Sequence, residues 1–247
     1  MNLLLDIGNT HTHAGLTHGK RITPHDIFPT ASWQSLRAVK WLERFLGKQT
    51  VSNATLCSVV PTATRAARKA LHGMGITSQV ITYRNFGLEI DYPKPATIGP
   101  DRLANARGGL EHFGAPVVIV DFGTAVTFDI VDTKGRYVGG IIAPGLSAMT
   151  DYLYEKTALL PRVEIRDIRS VIGKTTENAM RIGAIHGYRG LITGLIKELK
   201  HELSTRKLPV VATGGTAQLI ARQCPEITAV RPLLTLEGLR LASYHAN

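Results

Sequence analysis

One short pattern occurs twice in this 247-residue chain, with the two copies 115 residues apart. The first copy is an apolar run that ends in Asp6-Ile7-Gly8-Asn9-Thr10, and the second ends in Asp121-Phe122-Gly123-Thr124-Ala125. The aspartates, the glycines and the polar turns that follow them coincide when the two copies are aligned without a gap. A period of this size is a domain length and not a solenoid length. We therefore predict two related domains, residues 1–114 and 115–247.

The composition indicates a globular protein. Hydrophobic residues make up 44% of the chain, which is enough to build a core in each domain. Asp6 interrupts the only early apolar stretch, and no apolar run approaches the roughly 20 residues that span a bilayer. We predict a cytoplasmic protein without a membrane segment or a signal peptide.

The charge balance favours anionic partners. The chain has 29 Lys and Arg against 19 Asp and Glu, for a net charge of +10. Its basic residues are scattered along the sequence and aromatic residues make up only 6%, whereas nucleic-acid binders gather basic and aromatic side chains together. A diffuse positive field suits small phosphate-bearing molecules. We expect no membrane partner and consider nucleic acid an unfavoured one.

Apolar periodicity and turn residues predict alternating strands and helices in both halves, which indicates an α/β fold. The predicted strands are residues 2–5, 10–16, 54–60, 79–82, 116–120, 126–131 and 209–212. The predicted helices are residues 33–46, 64–72, 101–112, 147–158, 176–204, 216–222 and 236–245.

The duplicated turns have the residues that a phosphate site needs. Glycine lets a phosphate approach main-chain N–H groups, while a carboxylate at the end of a buried strand can hold a hydrated cation. A single Asp-x-Gly is also compatible with an ordinary tight turn. Two copies in matching hairpins favour nucleotide binding, and Thr213-Gly214-Gly215, at a strand-to-helix turn, is a third turn of this kind.

The candidate for catalysis is Gly99-Pro100-Asp101-Arg102, which follows a proline-rich loop and opens a predicted helix. A kinase that acts on an alcohol needs a carboxylate near the hydroxyl and a cation for the acceptor's anionic end. Asp101 could equally be a first-turn residue favoured by the helix dipole, and the pattern alone leaves both interpretations open. Tyr92, in the same loop, is either a packing residue or a substrate contact.

Three other patterns receive a structural or minor interpretation. His11 and His13 share one face of a predicted strand but have no evident third metal ligand, so they are favoured as polar lining of a nucleotide site. Cys57 and Cys224 have no metal or redox spacing and are predicted to be buried structural thiols. Gly173-Lys174-Thr175 lacks the preceding glycine and strand of a P-loop.

In their order and spacing, the motifs resemble those of the type III pantothenate kinases. Each motif alone has low specificity, but the combination is specific and extends over essentially the whole chain. The motifs are Asp6-x-Gly8-Asn9-Thr10, Gly99-x-Asp101-Arg102 with Asn105, Asp121-x-Gly123-Thr124-Ala125-x-Thr127, Gly139-Gly140 through Pro144-Gly145, Gly173-x-x-Thr176, Thr213-Gly214-Gly215 and Leu234-Thr235-Leu236-x-Gly238-Leu239.

The resemblance implies the fold of the acetate and sugar kinase, Hsp70 and actin superfamily. This fold has two duplicated ribonuclease-H-like domains, the actin-like ATPase arrangement, with a nucleotide cleft between them. The resemblance also implies a homodimer in which Thr176 reaches the substrate pocket of the partner. Pro100 stands where relatives often have alanine, and His11 and His13 occupy positions that the family fills variably.

The resemblance also implies roles for individual residues. Asp101 would be the general base toward the pantothenate hydroxyl, Asp6 would hold Mg²⁺ through water, and Asp121 would hold a monovalent cation, potassium or ammonium. The implied ATP contacts are Asp6, Ile7, Gly8, Asn9, Thr10, His11, Thr12, His13, Thr124, Gly214 and Gly215. The implied pantothenate contacts are Tyr92, Gly99, Pro100, Asp101, Arg102 and Thr176.

The leading functional hypothesis is therefore ATP-dependent phosphorylation of pantothenate to 4′-phosphopantothenate, the first step of coenzyme A biosynthesis. A non-catalytic regulator that binds nucleic acid or an acidic partner is one alternative, and the retention of Asp6, Asp101 and Asp121 argues against it. A kinase for another small alcohol is the second alternative.

Overall fold

The computed structural model of the chain describes residues 1–205 and 207–245, which form two compact units. Unit 1 contains Met1–His112, Gly135–Tyr137 and the residues from 233 onward, and unit 2 contains Phe113–Lys134 and Val138–Pro232. The predicted boundary after residue 114 lies within two residues of the first change of unit. The division differs from the prediction at the C-terminal segment, which belongs to unit 1 and not to the second domain.

Unit 1 is built around sheet A, whose five strands have the order β3-β2-β1-β4-β5. The first three strands form an antiparallel meander, and β1-β4 and β4-β5 are parallel pairs. The strands are β1 (Asn2–Ile7), β2 (His11–His18), β3 (Arg21–Pro29), β4 (Asn53–Ser58) and β5 (Thr77–Val80).

Unit 2 repeats this arrangement in sheet B, whose order read from the other edge is β8-β7-β6-β9-β10. β6 pairs antiparallel with β7 and parallel with β9, as β1 does with β2 and β4. The predicted duplication of an α/β domain is confirmed. The strands are β6 (Val117–Phe122), β7 (Ala125–Val131), β8 (Tyr137–Pro144), β9 (Val210–Thr213) and β10 (Ala229–Val230).

Helices follow the strands in both units. They are α1 (Arg37–Leu46), α2 (Pro61–Gly73), α3 (Pro100–Phe113), α4 (Ala148–Lys156), α5 (Thr176–Ile182), α6 (Tyr188–Glu202), α7 (Ala217–Ala221) and α8 (Leu234–Ala242). Short 3₁₀ segments occur at Thr30–Gln34 and Pro95–Thr97. Within residues 1–205 and 207–245, no helix has the length and apolar character needed to cross a membrane.

Some elements differ from the prediction. β3 and β8 are strands that the sequence did not predict: β3 is an edge strand with mostly exposed side chains and a proline, and β8 is rich in glycine, so neither shows a clean alternation. The helix predicted over residues 176–204 is interrupted by a π-helical turn at Gly183–Gly187. The helix predicted from residue 33 begins only at Arg37, after a 3₁₀ turn.

Both faces of β1 are buried, which explains why it has a nearly continuous apolar sequence. Leu3, Leu5 and Ile7 point to one face and pack in a core with side chains of α1 and α2. Leu4 points to the other face, where its partner Gly15 leaves room for Leu236 of α8. Sheet A is therefore a central layer of unit 1 with helices on both sides.

Two glycines allow α8 to pack closely against α3. A Cβ atom at Gly238 would collide with the carbonyl oxygen of Ala104, and one at Gly108 would lie 2.8 Å from the carbonyl oxygen of Leu234. The Thr235 hydroxyl also donates a 2.7 Å hydrogen bond to the Asn105 side chain of α3. The position of α3, whose first turn carries Asp101, thus depends on the C-terminal helix.

This packing predicts opposite effects for alanine at two helical glycines. Gly238→Ala should lower the free energy of unfolding by about 1–3 kcal/mol, because the new methyl group meets backbone that cannot move freely. Gly194 is exposed in α6 with no heavy atom near its missing Cβ, so Gly194→Ala should raise stability by roughly 0.5–1 kcal/mol. Thermal or urea unfolding of the two variants checks this, and a stabilised Gly238→Ala would contradict the described packing.

Candidate active site

The parallel pairing of β1 with β4 brings Asp6 and Cys57 together. Their Cα atoms are partners in the register, and the Cys57 thiol donates a hydrogen bond of 3.2 Å to Asp6 Oδ1. Both residues lie near the carboxyl ends of their strands. In open α/β sheets this is the edge where ligands bind.

The predicted phosphate loop is a tight turn between β1 and β2. The Gly8 N–H donates to the His11 carbonyl oxygen at 3.0 Å, and a Cβ at Gly8 would touch the same oxygen. Asn9 and Thr10 are exposed at the tip of this turn. Ile7 and Thr12, also predicted to contact ATP, are fully buried.

A polar network that the sequence did not predict supports this turn. Thr30 donates its hydroxyl to the Gly8 carbonyl at 2.8 Å and its N–H to the Thr10 carbonyl at 3.0 Å. The Trp33 indole N–H donates to the Thr12 hydroxyl at 2.8 Å. These bonds depend on the path of β3, which has no clear sequence signal. They hold the turn in one conformation, as a preformed phosphate site requires.

The two histidines of β2 lie on the Asp6 face of sheet A, because His13 is the register partner of Asp6. Burial lowers the pKa of His13, and the neighbouring His11 and His25 lower it further, so the ring is neutral at pH 7. A neutral ring suits the predicted polar lining of a nucleotide site. Among the described residues, no group of three or more His, Cys, Asp or Glu side chains could hold a metal ion.

Asp101 occupies the first turn of α3. Its Oδ1 accepts the Arg102 N–H at 2.9 Å, and Val59, which follows β4, lies close to the missing Cβ of Gly99. A Cβ at Gly99 would collide with the Asp101 carboxylate, so the carboxylate requires glycine at that position. Asp101 is also close enough to Cys57 to raise the pKa of its thiol. Two carboxylates, Asp6 and Asp101, therefore surround one buried thiol.

Burial raises the pKa of Asp101 above its ordinary value, although the Arg102 N–H and the Arg102 charge partly oppose this shift. A desolvated carboxylate with a raised pKa is a better proton acceptor than an exposed one. The two interpretations of Asp101 are compatible, since the same carboxylate opens the helix and has the properties of a base.

The loop that carries Tyr92 is fixed by residues 135–137, which belong to unit 1. The Asp91 N–H donates to the Tyr137 carbonyl at 2.9 Å, and Arg136 forms a 2.7 Å ion pair with Asp91. The exposed Tyr92 ring contacts the buried Tyr137 ring edge-on, with centroids 6.5 Å apart. Arg136 and Tyr137 were not predicted as part of the site, and no local motif would have identified them.

In unit 2, Asp121 has the same position as Asp6 in unit 1. It lies near the end of β6, and its register partner in the parallel strand β9 is Thr213. The Gly123 N–H donates to the Ala125 carbonyl at 3.1 Å and closes the second turn. The two carboxylate–glycine turns thus connect equivalent strands, but the second is one residue tighter, because the Gly8 N–H bonds a carbonyl three residues on and the Gly123 N–H bonds one two residues on.

Glycines from two later segments pack against this second turn. A Cβ at Gly214, which has a φ of +89°, would clash with the Asp121 carboxylate and the Phe122 backbone. Gly145 donates its N–H to the Thr124 carbonyl at 3.1 Å. The predicted residues Asp121, Thr124 and Gly214 therefore lie together, with Gly215 next in the chain.

Thr176 is the first residue of α5 and is exposed. The preceding Thr175 caps the helix, because its hydroxyl accepts the Asn178 N–H at 3.2 Å. This contact fixes the start of the helix and leaves the Thr176 side chain at the surface of unit 2.

Positive charge is more concentrated than predicted. Arg65, Arg68, Lys69 and His72 share one face of α2, since they have helical spacing, and line a groove of about 620 Å³ with residues 75–78. Among the residues that the structure describes, no carboxylate lines this groove. The groove contains none of the candidate site residues, so the active-site prediction does not depend on it.

Comparison with known proteins gives a family match over most of the chain. The model of the type III pantothenate kinase family matches residues 2–198. A type III pantothenate kinase of Methylacidiphilum infernorum is 44% identical over 97% of this chain and 86% of its own length. One from Akkermansia muciniphila is 42% identical over 98% of this chain and 97% of its own length.

Solved structures match the fold at low sequence identity. A protein of Sinorhizobium meliloti, provisionally named a 2-dehydro-3-deoxygalactonokinase, matches with a TM-score of 0.65 and 13% identity over 100% of this chain and 97% of that one. An inorganic polyphosphate/ATP-glucomannokinase of Arthrobacter matches with a TM-score of 0.52 and 13% identity over 99% and 100%. These matches confirm the predicted fold class. Together with the whole-length relatives, the family model shows that this chain belongs to the type III pantothenate kinases.

Proposed function

We propose that this chain transfers the γ-phosphoryl group of ATP to the hydroxyl of pantothenate. The product is 4′-phosphopantothenate, and the reaction is the first step of coenzyme A biosynthesis in the cytoplasm. The observation that carries the proposal is the position of Asp101, a partly buried and desolvated carboxylate next to the strand end that holds Asp6, in a chain of this kinase family.

In the proposed reaction, Asp101 accepts the proton of the pantothenate hydroxyl as that oxygen attacks phosphorus. Burial supports this role, because it raises the pKa of the carboxyl group. The Arg102 guanidinium is the cation proposed to hold the carboxylate of pantothenate. The other proposed pantothenate contacts are Tyr92, Gly99, Pro100 and, from the partner subunit's copy of the chain, Thr176.

The proposed ATP contacts are the residues around the two turns. The exposed residues Asn9, Thr10 and His11 suit the phosphates, since their polar groups are accessible next to the strand end, and the partly buried His13 is proposed to line the site beside them. The main chain of residues 6–13 is proposed to contribute N–H groups. Thr124, Gly214 and Gly215 are proposed to contact the rest of the nucleotide.

The carboxylates fit the cations that this chemistry needs. Magnesium usually enters kinase sites bound to substrate phosphates and needs only one or two protein carboxylates, often through water. Asp6 supplies such a carboxylate, and the described residues offer no cluster that would hold a metal without the nucleotide. When bound, magnesium neutralises charge on the phosphates. Asp121, whose carboxylate lies beside Gly123 and Gly214, is proposed to hold potassium or ammonium.

A homodimer is supported by the exposed apolar residues of unit 2. Ile142, Tyr152, Leu159, Val171 and Ile172 are all exposed, and Leu159 is 92% exposed. We propose that these side chains contribute to one patch, since large exposed apolar patches mark interaction surfaces. Because Thr176 follows Ile172 by four residues, a dimer formed through this region would bring Thr176 to the partner.

The direct test is a coupled assay of ADP release by the purified protein. ADP release should require pantothenate, should fall when potassium is omitted, and should be much slower with other small alcohols such as pantetheine, glycerol or a sugar. Equal rates with another alcohol would contradict the proposal that pantothenate is the specific substrate. ATP turnover that is independent of potassium would contradict the proposed role of Asp121.

Asp101→Asn should separate catalysis from ATP binding. The amide cannot accept the hydroxyl proton, so kcat should fall at least about 100-fold, the usual contribution of a general base. The dissociation constant for MgATP, measured by calorimetry, should stay within about twofold. Wild-type turnover in this variant would exclude Asp101 as the base.

The same variant should be more stable at pH 7. A carboxyl group whose pKa is raised by folding binds its proton more tightly in the folded state, so its ionisation at neutral pH costs stability. Asparagine removes that cost, and the melting temperature should rise by a few degrees at pH 7. The difference from the wild type should shrink as the pH falls through the raised pKa. A lower melting temperature at every pH would contradict the described burial.

Leu159→Glu should weaken the proposed dimer. Light scattering should give a wild-type mass of about twice 26.8 kDa and a monomer mass for the variant at low micromolar concentration. Leu36→Glu is the matched control, because Leu36 is 84% exposed in unit 1 and should leave the dimer intact. A monomeric wild type, or a dimer that survives Leu159→Glu, would argue against this interface.

A further inference from the structure

We propose that Cys57 is a positioning residue for the kinase reaction: its thiol holds the Asp6 carboxylate in the orientation that receives the magnesium of ATP. This inference rests on the proposed function, in which Asp6 contacts magnesium through water. Cys57 itself does not touch the substrate or the phosphates, because its side chain is completely buried.

The geometry makes the thiol a specific partner of Asp6. The two residues are register partners at the end of a parallel pair, and the Sγ–Oδ1 distance is 3.2 Å. With Cys57 fully buried, water cannot take the place of the thiol in this contact. A hydrogen bond to a charged acceptor is stronger than one between neutral groups, even when the donor is a weak S–H group. It therefore restricts rotation of the carboxylate.

The chemistry of the two groups fits this contact. A thiol can donate a hydrogen bond, and a carboxylate only accepts when it is ionised, so the 3.2 Å contact joins a donor to an acceptor.

The second copy of the fold provides independent support. Thr213 occupies the position in β9 that Cys57 occupies in β4, next to the aspartate of the preceding central strand. Thr213 is also buried, and its hydroxyl is a hydrogen-bond donor. A buried side chain with a donor group therefore stands beside the strand-end aspartate in both units. An apolar residue would satisfy the packing of the core equally well, so packing alone does not explain this choice.

The test compares Cys57→Val with Cys57→Ser. Valine is similar in size to cysteine and suits a strand but has no donor, whereas serine keeps a donor. Cys224→Val is the matched control, because Cys224 is the other buried cysteine and contacts Thr193 in unit 2. For each variant, the magnesium concentration at half-maximal ATP binding is measured by calorimetry, together with kcat and the KM values for MgATP and pantothenate.

Cys57→Val should need about tenfold more magnesium, the lower end of the effect of losing a residue that orients a metal-binding group. Its KM for MgATP should rise in parallel, while the KM for pantothenate stays within about twofold. Cys57→Ser should restore the magnesium response to within about twofold of the wild type, and Cys224→Val should match the wild type. A purely structural role for Cys57 would lower the melting temperature without this selective shift.

A magnesium titration of Cys57→Val that coincides with the wild type would overturn the proposal, while wild-type pantothenate kinase activity would leave the proposed function intact. If the wild type binds MgATP but shows no pantothenate-dependent turnover, the proposed function fails and the calorimetric shift still decides the role of Cys57. Cys57→Ala replaces the valine variant if that variant does not fold, and the same tenfold shift is expected.

Discussion

The parallel hydrogen-bonded pairing of β1 with β4 is the interaction on which the candidate site of unit 1 depends. It aligns Asp6 with Cys57 at one edge of sheet A, and a slip of one residue between the strands would place the two side chains on opposite faces. Burial of Leu3 and Leu5 on one face and Leu4 on the other makes such a slip costly. The apolar core therefore determines where the carboxylate stands, although it takes no part in the chemistry.

The second requirement is that Asp101 stay buried near this edge. An ionised carboxylate loses solvation when it is buried, which costs free energy. The packing of the helix that carries Asp101 must offset this cost. Close packing of α3 against the C-terminal helix α8, at Gly108 and Gly238, holds α3 and therefore Asp101 in place. In the proposed reaction, stability and function thus compete at Asp101, as they do where an active site needs a group in an unfavourable environment.

Local signals made part of this structure predictable. The duplicated turns, the apolar strand β1 and the helix opened by Asp101 all have short patterns with a direct physical meaning. The rest depends on which strands become neighbours: Thr30 supports the predicted phosphate loop only because β3 returns beside β2, and Cys57 contacts Asp6 only because β4 pairs in parallel. From sequence, Cys57 is indistinguishable from an ordinary buried thiol. The packing of α3 against α8 brings together residues that are more than 130 positions apart in the sequence, such as Ala104 and Gly238, so no local pattern predicts it.

The central claim is that Asp101 is a desolvated base at the edge of sheet A. The most direct measurement is the pKa of its carboxyl group, followed by ¹³C NMR in the folded wild-type protein with selectively labelled aspartate. Burial predicts a titration midpoint clearly above the ordinary value of 3.8, despite the opposing Arg102 charge. A midpoint at or below 3.8 would show that Asp101 is well solvated or dominated by Arg102, and would contradict its assignment as the base.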